Sequence, residues 1–223
     1  MLKGVIFDLD GVIVATDDLH YQAWQRLADE EGVPFDRTVN ERLRGVSRME
    51  SLAILLEASA RAYSEAEKSE MAARKNSYYR AWLDSALSAG DLLPGDRAVL
   101  GAGRAAGLKL AIGSSSRNSP TILKRIGLDD YFDATADGND ITLSKPAPEV
   151  FLVAAERLGL APADCLVVED AEAGVTAALA AGMPCVAVGF AARDSRAALS
   201  ASGLEQVSVN QILNVIDRKE ATP

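Results

Sequence analysis

Histidine and cysteine are scarce in this sequence. His20 is the single histidine among 223 residues, which excludes a zinc site built on several imidazoles and leaves oxygen atoms as ligands for any metal. The two cysteines, Cys165 and Cys185, show no metal-binding spacing, and each opens an apolar, strand-like run. We therefore expect both to be small buried side chains, which fits a protein of the reducing cytoplasm.

An excess of positive charge and a long hydrophobic segment are also lacking. Acidic residues number 32 and basic residues 23, so the net charge of −9 disfavours nucleic acid or an anionic membrane as the main partner. A small phosphorylated substrate remains compatible, because a local cluster of Lys and Arg can oppose the overall sign. The first apolar segment, 5–14, is interrupted by Asp8 and Asp10, and no run reaches the roughly 18 apolar residues that a membrane span needs. We expect a cytoplasmic protein with no membrane partner.

The rest of the composition is that of a globular chain, long enough for one large domain or for a core with a small second domain. Residues 5–7 predict a first strand, which ends at an Asp-x-Asp-Gly loop. From Leu19 to about Ala89, apolar residues recur at helical spacing, in the segments 20–31, 48–60 and 64–89. This region is predicted to be a helical insert.

After Leu93-Pro94-Gly95, helices and strands alternate along the chain. The pattern predicts helices at 96–106, 119–126, 149–158 and 171–181, and strands at 108–112, 132–136, 165–168 and 184–188. Repeated units of this kind, with glycines at the helix ends, favour a parallel sheet covered on both faces. We expect a doubly wound, Rossmann-like α/β core formed by residues 1–15 and 93–223, with a small helical cap domain at 16–92. The end of the chain, 219–223, is expected to be frayed.

Polar residues follow four of the predicted core elements, at the edge where ligands bind in an open parallel sheet. They are Asp8 and Asp10, Ser114 to Ser116, Lys145, and the pair Glu169-Asp170. Residues two apart in an extended segment point the same way, so the first two aspartates can meet over one ligand. Several carboxylates at one place would repel one another unless a cation held them, and oxygen ligands alone favour Mg²⁺.

Simpler interpretations of the same residues exist. The first two aspartates can cap backbone N–H groups in a turn, and Asn118 can cap a helix that follows a polar serine loop. Lys145 can be a solvated surface lysine, and Glu169 with Asp170 can cap the helix that comes after them. Because all of these interpretations would have to hold together at one edge of the sheet, we favour the catalytic hypothesis.

Phosphoryl transfer requires these residue types. Asp8 suits the nucleophile that forms an aspartyl phosphate, and Asp10 suits the general acid and base. The hydroxyl of Ser114, the amide of Ser115 and the ammonium of Lys145 would hold the phosphate oxygens. For Mg²⁺ we expect ligands from Asp8, the backbone carbonyl of Asp10, Asp170, and Glu169 either directly or through water.

The sequence resembles the haloacid dehalogenase superfamily of phosphotransferases in the motifs Phe7-Asp8-Leu9-Asp10-Gly11-Val12, Lys145-Pro146 and Glu169-Asp170, and in the serine after the second strand. The resemblance implies the doubly wound fold and the aspartyl-phosphate chemistry, and it implies that the helical insert is the cap that chooses the substrate. Within the superfamily, the chain is most similar to the β-phosphoglucomutases. The matches that carry this similarity are Thr16, His20, Trp24, Gly45-Val46-Ser47-Arg48, Arg74-Lys75-Asn76, Ser114, Asn118, Ser144-Lys145-Pro146-Ala147-Pro148 and Glu169-Asp170.

This resemblance implies a set of functional residues. The catalytic residues would be Asp8, Asp10, Thr16, His20, Ser114 and Lys145; substrate would be bound by Trp24, Gly45, Val46, Ser47, Arg48, Ser51, Lys75, Ser115, Ser116 and Asn118; the metal ligands would be Asp8, Asp10, Glu169 and Asp170. The cofactors implied are Mg²⁺ and glucose 1,6-bisphosphate as the phosphorylating primer. The partner implied is a small phosphorylated sugar, and we expect a monomer.

Cap residues have individual expectations. Arg48 follows a glycine-containing loop and offers a planar fork to a distal phosphate, and Lys75 offers a movable ammonium near the sugar, although either can also be a solvated basic residue. The resemblance implies that His20 couples cap closure to the placement of Asp10. Trp24 favours packing in the cap, with a sugar contact as the alternative. The family pattern is also altered, because Ser115 replaces an alanine and Arg117 a lysine.

Three functions compete on these grounds. The first is a mutase that converts β-glucose 1-phosphate into glucose 6-phosphate, and the second is a sugar-phosphate phosphatase of the same superfamily, in which water discharges the phosphoenzyme. The third is a non-enzymatic sugar-phosphate binding module, which would require a broken carboxylate set. A mutase differs from a phosphatase in needing a distal phosphate site and in excluding water when closed.

Overall fold

A parallel sheet forms the centre of the molecule in the computed structural model, which describes residues 1–220. Its strands are β1 Gly4–Phe7, β2 Lys109–Gly113, β3 Ala134–Ala136, β4 Cys165–Glu169, β5 Cys185–Ala187 and β6 Leu199–Ser200. In this described part of the chain the order is β3-β2-β1-β4-β5-β6, and all five pairings are parallel. The chain therefore runs outward from β1 in both directions, which confirms the doubly wound α/β fold.

The helices fall into two groups. Helices α1 Asp17–Glu31, α2 Arg37–Glu41, α3 Arg48–Leu56 and α4 Glu65–Ala86 lie between β1 and β2, and they are followed by α5 Asp96–Ala105, α6 Ser119–Ile126, α7 Glu149–Leu158, α8 Glu172–Ala180 and α9 Val209–Glu220. Within residues 1–220, none of these helices combines the length and the apolar character that a transmembrane span requires.

Alternation along β1 explains why both faces of the sheet are covered. All four of its residues are buried, and the three that carry side chains divide between two apolar clusters: Val5 and Phe7 belong to one, and Ile6 to the other. Successive side chains of a strand point to opposite faces, so a continuous apolar run can fill both cores. Cys165 and Cys185 begin β4 and β5 and are buried free thiols, and burial raises the pKa of Cys165 to about 11.

The four helices between β1 and α5 have an apolar cluster of their own, which includes Trp24, Leu27, Leu52 and Met71. The chain segments that enter and leave this helical unit run side by side. The N–H of Ala15 donates to the carbonyl of Asp91 at 3.0 Å, and the N–H of Leu93 donates to that of Ile13 at 3.0 Å. The division into a core and a cap at residues 15/16 and 92/93 stays a prediction, which this pairing favours.

Local signals account for the element boundaries and for the differences from expectation. Helices α3 and α4 begin with capping boxes, Ser47 with Glu50 and Ser64 with Glu67. Helix α3 ends at Leu56, short of the predicted residue 60, and the predicted strand 132–136 keeps only its last three residues. Helices α2 and α9 and strand β6 were not anticipated; α2 and β6 are only five and two residues long, whereas α9 has 12 residues and was missed.

The expectation of frayed ends at 219–223 falls partly outside the described residues. Residues 219 and 220 still belong to α9, and 221–223 are not described.

Candidate active site

The sheet brings acidic groups together at its centre. Asp8 directly follows β1, and Glu169 ends β4, which pairs with β1 through the neighbouring residues Phe7 and Val168. Between the two carboxylates lies the fully buried ammonium of Lys145, which donates to Oδ1 of Asp8 at 2.5 Å and to Oε2 of Glu169 at 2.8 Å. Burial alone would lower the pKa of Lys145, but the two carboxylates raise it above its ordinary value. Lys145 is thus a fixed cation and not a solvated surface lysine.

Asp170 completes a cluster that has room for a metal ion. Carboxylate oxygens of Asp8, Glu169 and Asp170 lie within 4.8 Å of one another, and all three residues are buried. Burial raises the pKa of Asp8 to about 8, against the attraction of Lys145, and burial likewise raises the pKa of Asp170. A divalent cation would offset this desolvation and keep the carboxylates ionised at neutral pH, and oxygen-only ligands fit Mg²⁺.

Glu169 accepts more hydrogen bonds from the protein than the other two carboxylates do. Its Oε1 accepts hydrogen bonds from the backbone N–H groups of Asp170 and Ala171 at 3.1 and 3.0 Å, while its Oε2 accepts from Lys145. These bonds orient the loop after β4 as well as the lysine. These bonds do not decide whether Glu169 would bind the metal directly or through water, so both predicted modes of ligation stay expectations.

The side chain of Asp10 does not join the metal cluster. Its Oδ1 accepts a short hydrogen bond from the hydroxyl of Thr16 and a 3.4 Å bond from that of Tyr79, and Nε2 of His20 lies 3.9 Å away. All three partners belong to the helical unit or to the segment that enters it. Only the backbone carbonyl of Asp10 therefore remains as its predicted metal ligand. Burial raises the pKa of Asp10, which favours the protonated form that a general acid requires.

Tyr79 is a functional candidate that the sequence analysis missed. Its ring fits the apolar stripe of α4, and it is fully buried. A signal was nevertheless present, because Tyr79 lies four residues after Lys75 and therefore on the same helical face. Burial raises the pKa of Tyr79 well above its ordinary value, so its hydroxyl keeps the proton that it donates to Asp10.

Lys75 is held in place rather than mobile, in contrast to the expectation from sequence. It is 2% exposed, its Nζ lies 2.9 Å from Nδ1 of His20, and it packs over the rings of Trp24 and Tyr79 at 4.7 and 4.9 Å. Burial lowers the pKa of Lys75 to about 7, and nearby Arg48 lowers it further. Burial and the charge of Lys75 lower the pKa of His20 as well. A neutral His20 that accepts from Lys75 at Nδ1 carries its own proton on Nε2, facing Asp10.

The serine loop after β2 contacts both the core and the cap. Ser114 is buried, and its Oγ accepts from the N–H of Ser116 at 3.1 Å. Ser115 donates its hydroxyl to the carbonyl of Gly45 at 3.1 Å and accepts from the hydroxyl of Ser144 at 2.9 Å. This loop therefore lies between the sheet and the cap.

Asn118 also reaches the cap. Its side-chain amide donates to Oδ1 of Asn76 at 3.0 Å, and it makes no capping bond to α6. Asn118 therefore occupies the N-cap position of α6, as the helix-cap interpretation expected, but its side chain contacts the cap domain and does not cap the helix.

A pocket of about 490 Å³ lies between the sheet edge and the cap. Most of the residues expected at the site line it, namely Asp8, Asp10, His20, Trp24, Gly45, Val46, Ser47, Arg48, Ser51, Lys75, Ser114, Ser115, Ser116, Asn118 and Asp170. Thr16, Lys145 and Glu169 lie behind this lining and contact it. Trp24 is 2% exposed and belongs to the apolar cluster of the cap, which agrees with a packing role.

Two guanidinium groups make the cap side of the pocket attractive to an anion. Arg48 is the first residue of α3, and Arg117, from the serine loop, also lines the pocket. Burial lowers the pKa of Arg48, and the charge of Arg117 lowers it further, so a bound anion would offset the repulsion between the two groups. Arg44 also lines the pocket and was not anticipated from the sequence.

Comparison with known proteins gives concordant results. Residues 2–182 match the family model described as haloacid dehalogenase-like hydrolase. The chain is 47% identical to a β-phosphoglucomutase of Bacillus subtilis over 84% of both chains, and 32% identical to a phosphorylated carbohydrates phosphatase of Thermotoga maritima over 96% of this chain and 98% of that one. The crystal structure of a β-phosphoglucomutase from Clostridium difficile superposes with a TM-score of 0.93 at 36% identity, covering all of both chains.

The protein is an enzyme of the phosphotransferase class. This class is defined by the doubly wound sheet, by the buried cluster of Asp8, Lys145 and Glu169, and by these similarities. The chain belongs to the haloacid dehalogenase-like hydrolase family.

Proposed function

We propose that this enzyme is a β-phosphoglucomutase, which interconverts β-glucose 1-phosphate and glucose 6-phosphate through an aspartyl phosphate and a glucose 1,6-bisphosphate intermediate. The observation that carries the proposal is a pocket with cationic groups at two of its sides. Asp8 and Ser114 line its sheet side, with Lys145 directly behind Asp8, and Arg48 with Arg117 lines its cap side. A substrate that carries phosphate at both ends needs cationic groups at both, whereas a simple phosphatase needs them at one.

Asp8 and Asp10 divide the chemistry. An Oδ of Asp8 attacks phosphorus of the bisphosphate, the bond from phosphorus to the sugar oxygen breaks, and Asp10 gives its proton to that oxygen. In the return step a sugar hydroxyl attacks the aspartyl phosphate, the bond to Asp8 breaks, and the hydroxyl proton passes to Asp10. Mg²⁺ bound at Asp8, Asp170 and the carbonyl of Asp10 would supply charge neutralisation on the transferring group.

The other residues position these groups. Lys145 and the loop 114–116 hold the phosphate oxygens, and Thr16 and Tyr79 fix the Asp10 carboxyl through hydrogen bonds. His20 and Lys75 place a positive group and an N–H beside it, so proton transfer at Asp10 depends on the closed position of the cap. The enzyme requires no nucleic acid or membrane partner for this reaction, and we propose that it acts as a cytoplasmic monomer.

A sugar-phosphate phosphatase is the second candidate. It is favoured by the relatives at 32% and 31% identity, which are a phosphorylated carbohydrates phosphatase and a fructose-1-phosphate phosphatase of Escherichia coli. In that reaction water replaces the sugar hydroxyl as the group that discharges Asp8. The intact carboxylate cluster argues against the third candidate, a binding module without catalysis.

Product analysis separates the two enzymes. The protein is incubated with Mg²⁺, β-glucose 1-phosphate and a trace of glucose 1,6-bisphosphate, and glucose 6-phosphate and inorganic phosphate are measured together. A mutase accumulates glucose 6-phosphate, depends on the primer and releases little phosphate. Release of phosphate and glucose in equal amounts, without glucose 6-phosphate, would identify a phosphatase instead.

Asp8→Asn tests the nucleophile in the same assay. The amide cannot accept phosphorus, so we expect no phosphoenzyme by intact-protein mass spectrometry and no turnover. A phosphorylated side chain in this variant would contradict the assignment. The Cys165→Ser variant, altered at the start of a neighbouring strand but away from the pocket, serves as a control that retains Asp8.

A further inference from the structure

Phe190 is an exposed aromatic residue with a cap residue stacked on it. It belongs to the short 3₁₀ helix Gly189–Arg193 that follows β5, and it is 60% exposed. The guanidinium carbon of Arg44, in the cap loop between α2 and α3, lies 3.5 Å from the centre of its ring. A guanidinium over an aromatic face is an attractive arrangement, and here it joins the cap to the core.

Arg44 is also tied to the carboxylates of the site. Its Nη1 is 2.6 Å from Oδ1 of Asp17, at the start of α1, and 3.8 Å from Oδ2 of Asp170. The side chain is 14% exposed, so its charge is largely removed from solvent. On the core side, the N–H of Ala191 donates to the carbonyl of Asp170 at 2.8 Å, which places Phe190 beside the metal cluster. The contact between Arg44 and Phe190 therefore closes over the acidic end of the pocket.

Arg44 is one of three residues that lie between two cavities. One is the substrate pocket, and the other is a surface cleft of about 960 Å³ whose lining includes Phe190 and Arg193. Arg44, Val46 and Asp170 line both. The partition between the cleft and the site of the aspartyl phosphate thus includes Arg44, and Phe190 stacks on Arg44 from the cleft side.

We propose that Arg44 and Phe190 form a water barrier at the acidic end of the pocket, which sets how much of the phosphoenzyme is hydrolysed rather than passed to a sugar hydroxyl. The inference rests on the proposed aspartyl-phosphate chemistry. In the unwanted reaction, water oxygen bonds to phosphorus, the bond from phosphorus to Asp8 breaks, a water proton passes to Asp10, and inorganic phosphate leaves. Both residues act by position, since neither contacts the transferring phosphorus in this role.

The test measures the fate of the phosphoenzyme in the full-length protein with Mg²⁺. Phe190→Ala removes the ring, and we expect the ratio of inorganic phosphate to glucose 6-phosphate to rise roughly threefold to tenfold, the scale of a lost cation–π contact. Phe190→Tyr keeps the aromatic face and should restore the wild-type ratio. Leu152→Ala, at an exposed apolar residue of α7 outside both cavities, is the matched control and should not change it. An unchanged ratio in Phe190→Ala would overturn the proposal.

A second measurement keeps the barrier distinct from the mutase assignment. The enzyme is phosphorylated with radiolabelled acetyl phosphate, separated from the reagent and left without sugar, and the release of labelled phosphate is followed. We expect faster release from Phe190→Ala and from Arg44→Lys, which keeps the charge but loses the planar stacking group. Equal lifetimes in wild type and both variants would refute the barrier even if the enzyme is a mutase. A wild type that makes no glucose 6-phosphate would instead refute the mutase function.

Discussion

The burial of single side chains in this pocket bears on their proposed roles. Arg48 begins α3 and lines the pocket with Arg117, and a bound anion would offset the mutual repulsion of the two guanidinium groups. Tyr79 donates to the same carboxylate oxygen as Thr16, so the proposed general acid is held by two hydroxyl groups. Substitutions of Arg48 and of Tyr79 therefore test the proposed distal phosphate site and the proposed general acid separately.

Arg48→Ala should impair sugar transfer more than phosphate hydrolysis. Loss of a charge-assisted hydrogen bond to a distal phosphate is expected to lower kcat/KM for β-glucose 1-phosphate roughly tenfold to a hundredfold. Hydrolysis of p-nitrophenyl phosphate, which has no distal phosphate, should change little. Arg80→Ala, an exposed arginine of α4, controls for loss of a cap charge. Equal losses on both substrates would contradict the distal-site role.

Tyr79→Phe should lower kcat while the enzyme stays folded. The substitution removes the hydroxyl that donates to Asp10 at 3.4 Å and keeps the buried ring, so we expect a decrease of about twofold to tenfold. Tyr78→Phe is the matched control, because the hydroxyl of Tyr78 donates to Glu30 on the cap surface. Loss of the donated hydrogen bond should raise the pKa of Asp10, so the alkaline limb of the pH profile of kcat, where the general acid loses its proton, should move to higher pH in Tyr79→Phe alone. Identical profiles for the two variants would count against the role of Tyr79 in positioning Asp10.

At the scale of elements, the cap loop between α2 and α3 packs closely against the core. Gly45 has a φ of +73°, and a Cβ atom there would lie 2.9 Å from that of Ala171. Its carbonyl accepts from Ser115, so the loop backbone itself joins the cap to the serine loop. Glycine is required here both for its conformation and for the close approach.

Gly45→Ala and Gly32→Ala separate those two requirements. Gly32 ends α1 with a φ of +66°, and a Cβ atom there would meet no other atom within 4 Å, so its substitution costs only backbone strain of about 1 kcal/mol. Gly45→Ala adds the clash with Ala171, and we expect kcat/KM to fall at least roughly tenfold more than in Gly32→Ala. Thermal melts and steady-state kinetics measure the two effects. Equal activity in both variants would show that catalysis does not require the close approach of this loop to Ala171.

For the molecule as a whole, stability depends on a buried carboxyl remote from the pocket. Asp96 begins α5 and is 1% exposed, and its carboxylate oxygens have no hydrogen-bond partner among the described residues. Burial raises the pKa of Asp96 to about 8, and nearby Glu205 adds to the rise. The folded protein therefore holds a proton that the unfolded chain releases near pH 4, so this group's contribution to stability falls as the pH rises from about 4 through 8.

Asp96→Asn should remove that pH dependence. The amide stays neutral, so we expect the variant to gain roughly 1 to 3 kcal/mol in the free energy of unfolding at pH 8 to 9, and little or nothing near pH 4. Urea unfolding at several pH values measures the difference. Asp36→Asn, at an exposed N-cap whose side chain is hydrogen-bonded to Val39, is a control for the change of residue type. If the free energy of unfolding of the variant depended on pH as steeply as that of the wild type, the raised pKa of Asp96 would be contradicted.

The sequence by itself determined five of the six strands in the described residues and the sheet edge at which the candidate site lies. Periods of two and 3.6 residues, and glycine at helix ends, are local properties, so helices α6 and α7 were predicted with their observed bounds. Asp8 and Glu169 follow or end predicted strands, and the parallel sheet then brings them together. The family motifs added the roles that spacing alone does not give.

Tertiary structure decided how the cap engages that edge. The bond from Tyr79 to Asp10 joins residues 69 positions apart, and the contact of Lys75 with His20 joins residues 55 apart. The surfaces that the folded helices place against the sheet decide whether a lysine is a solvated cation or a buried one. They also decide whether Arg44 contacts Phe190. Local patterns fix which residues form each element, but only packing between distant elements fixes which polar side chains lose their water and find one another.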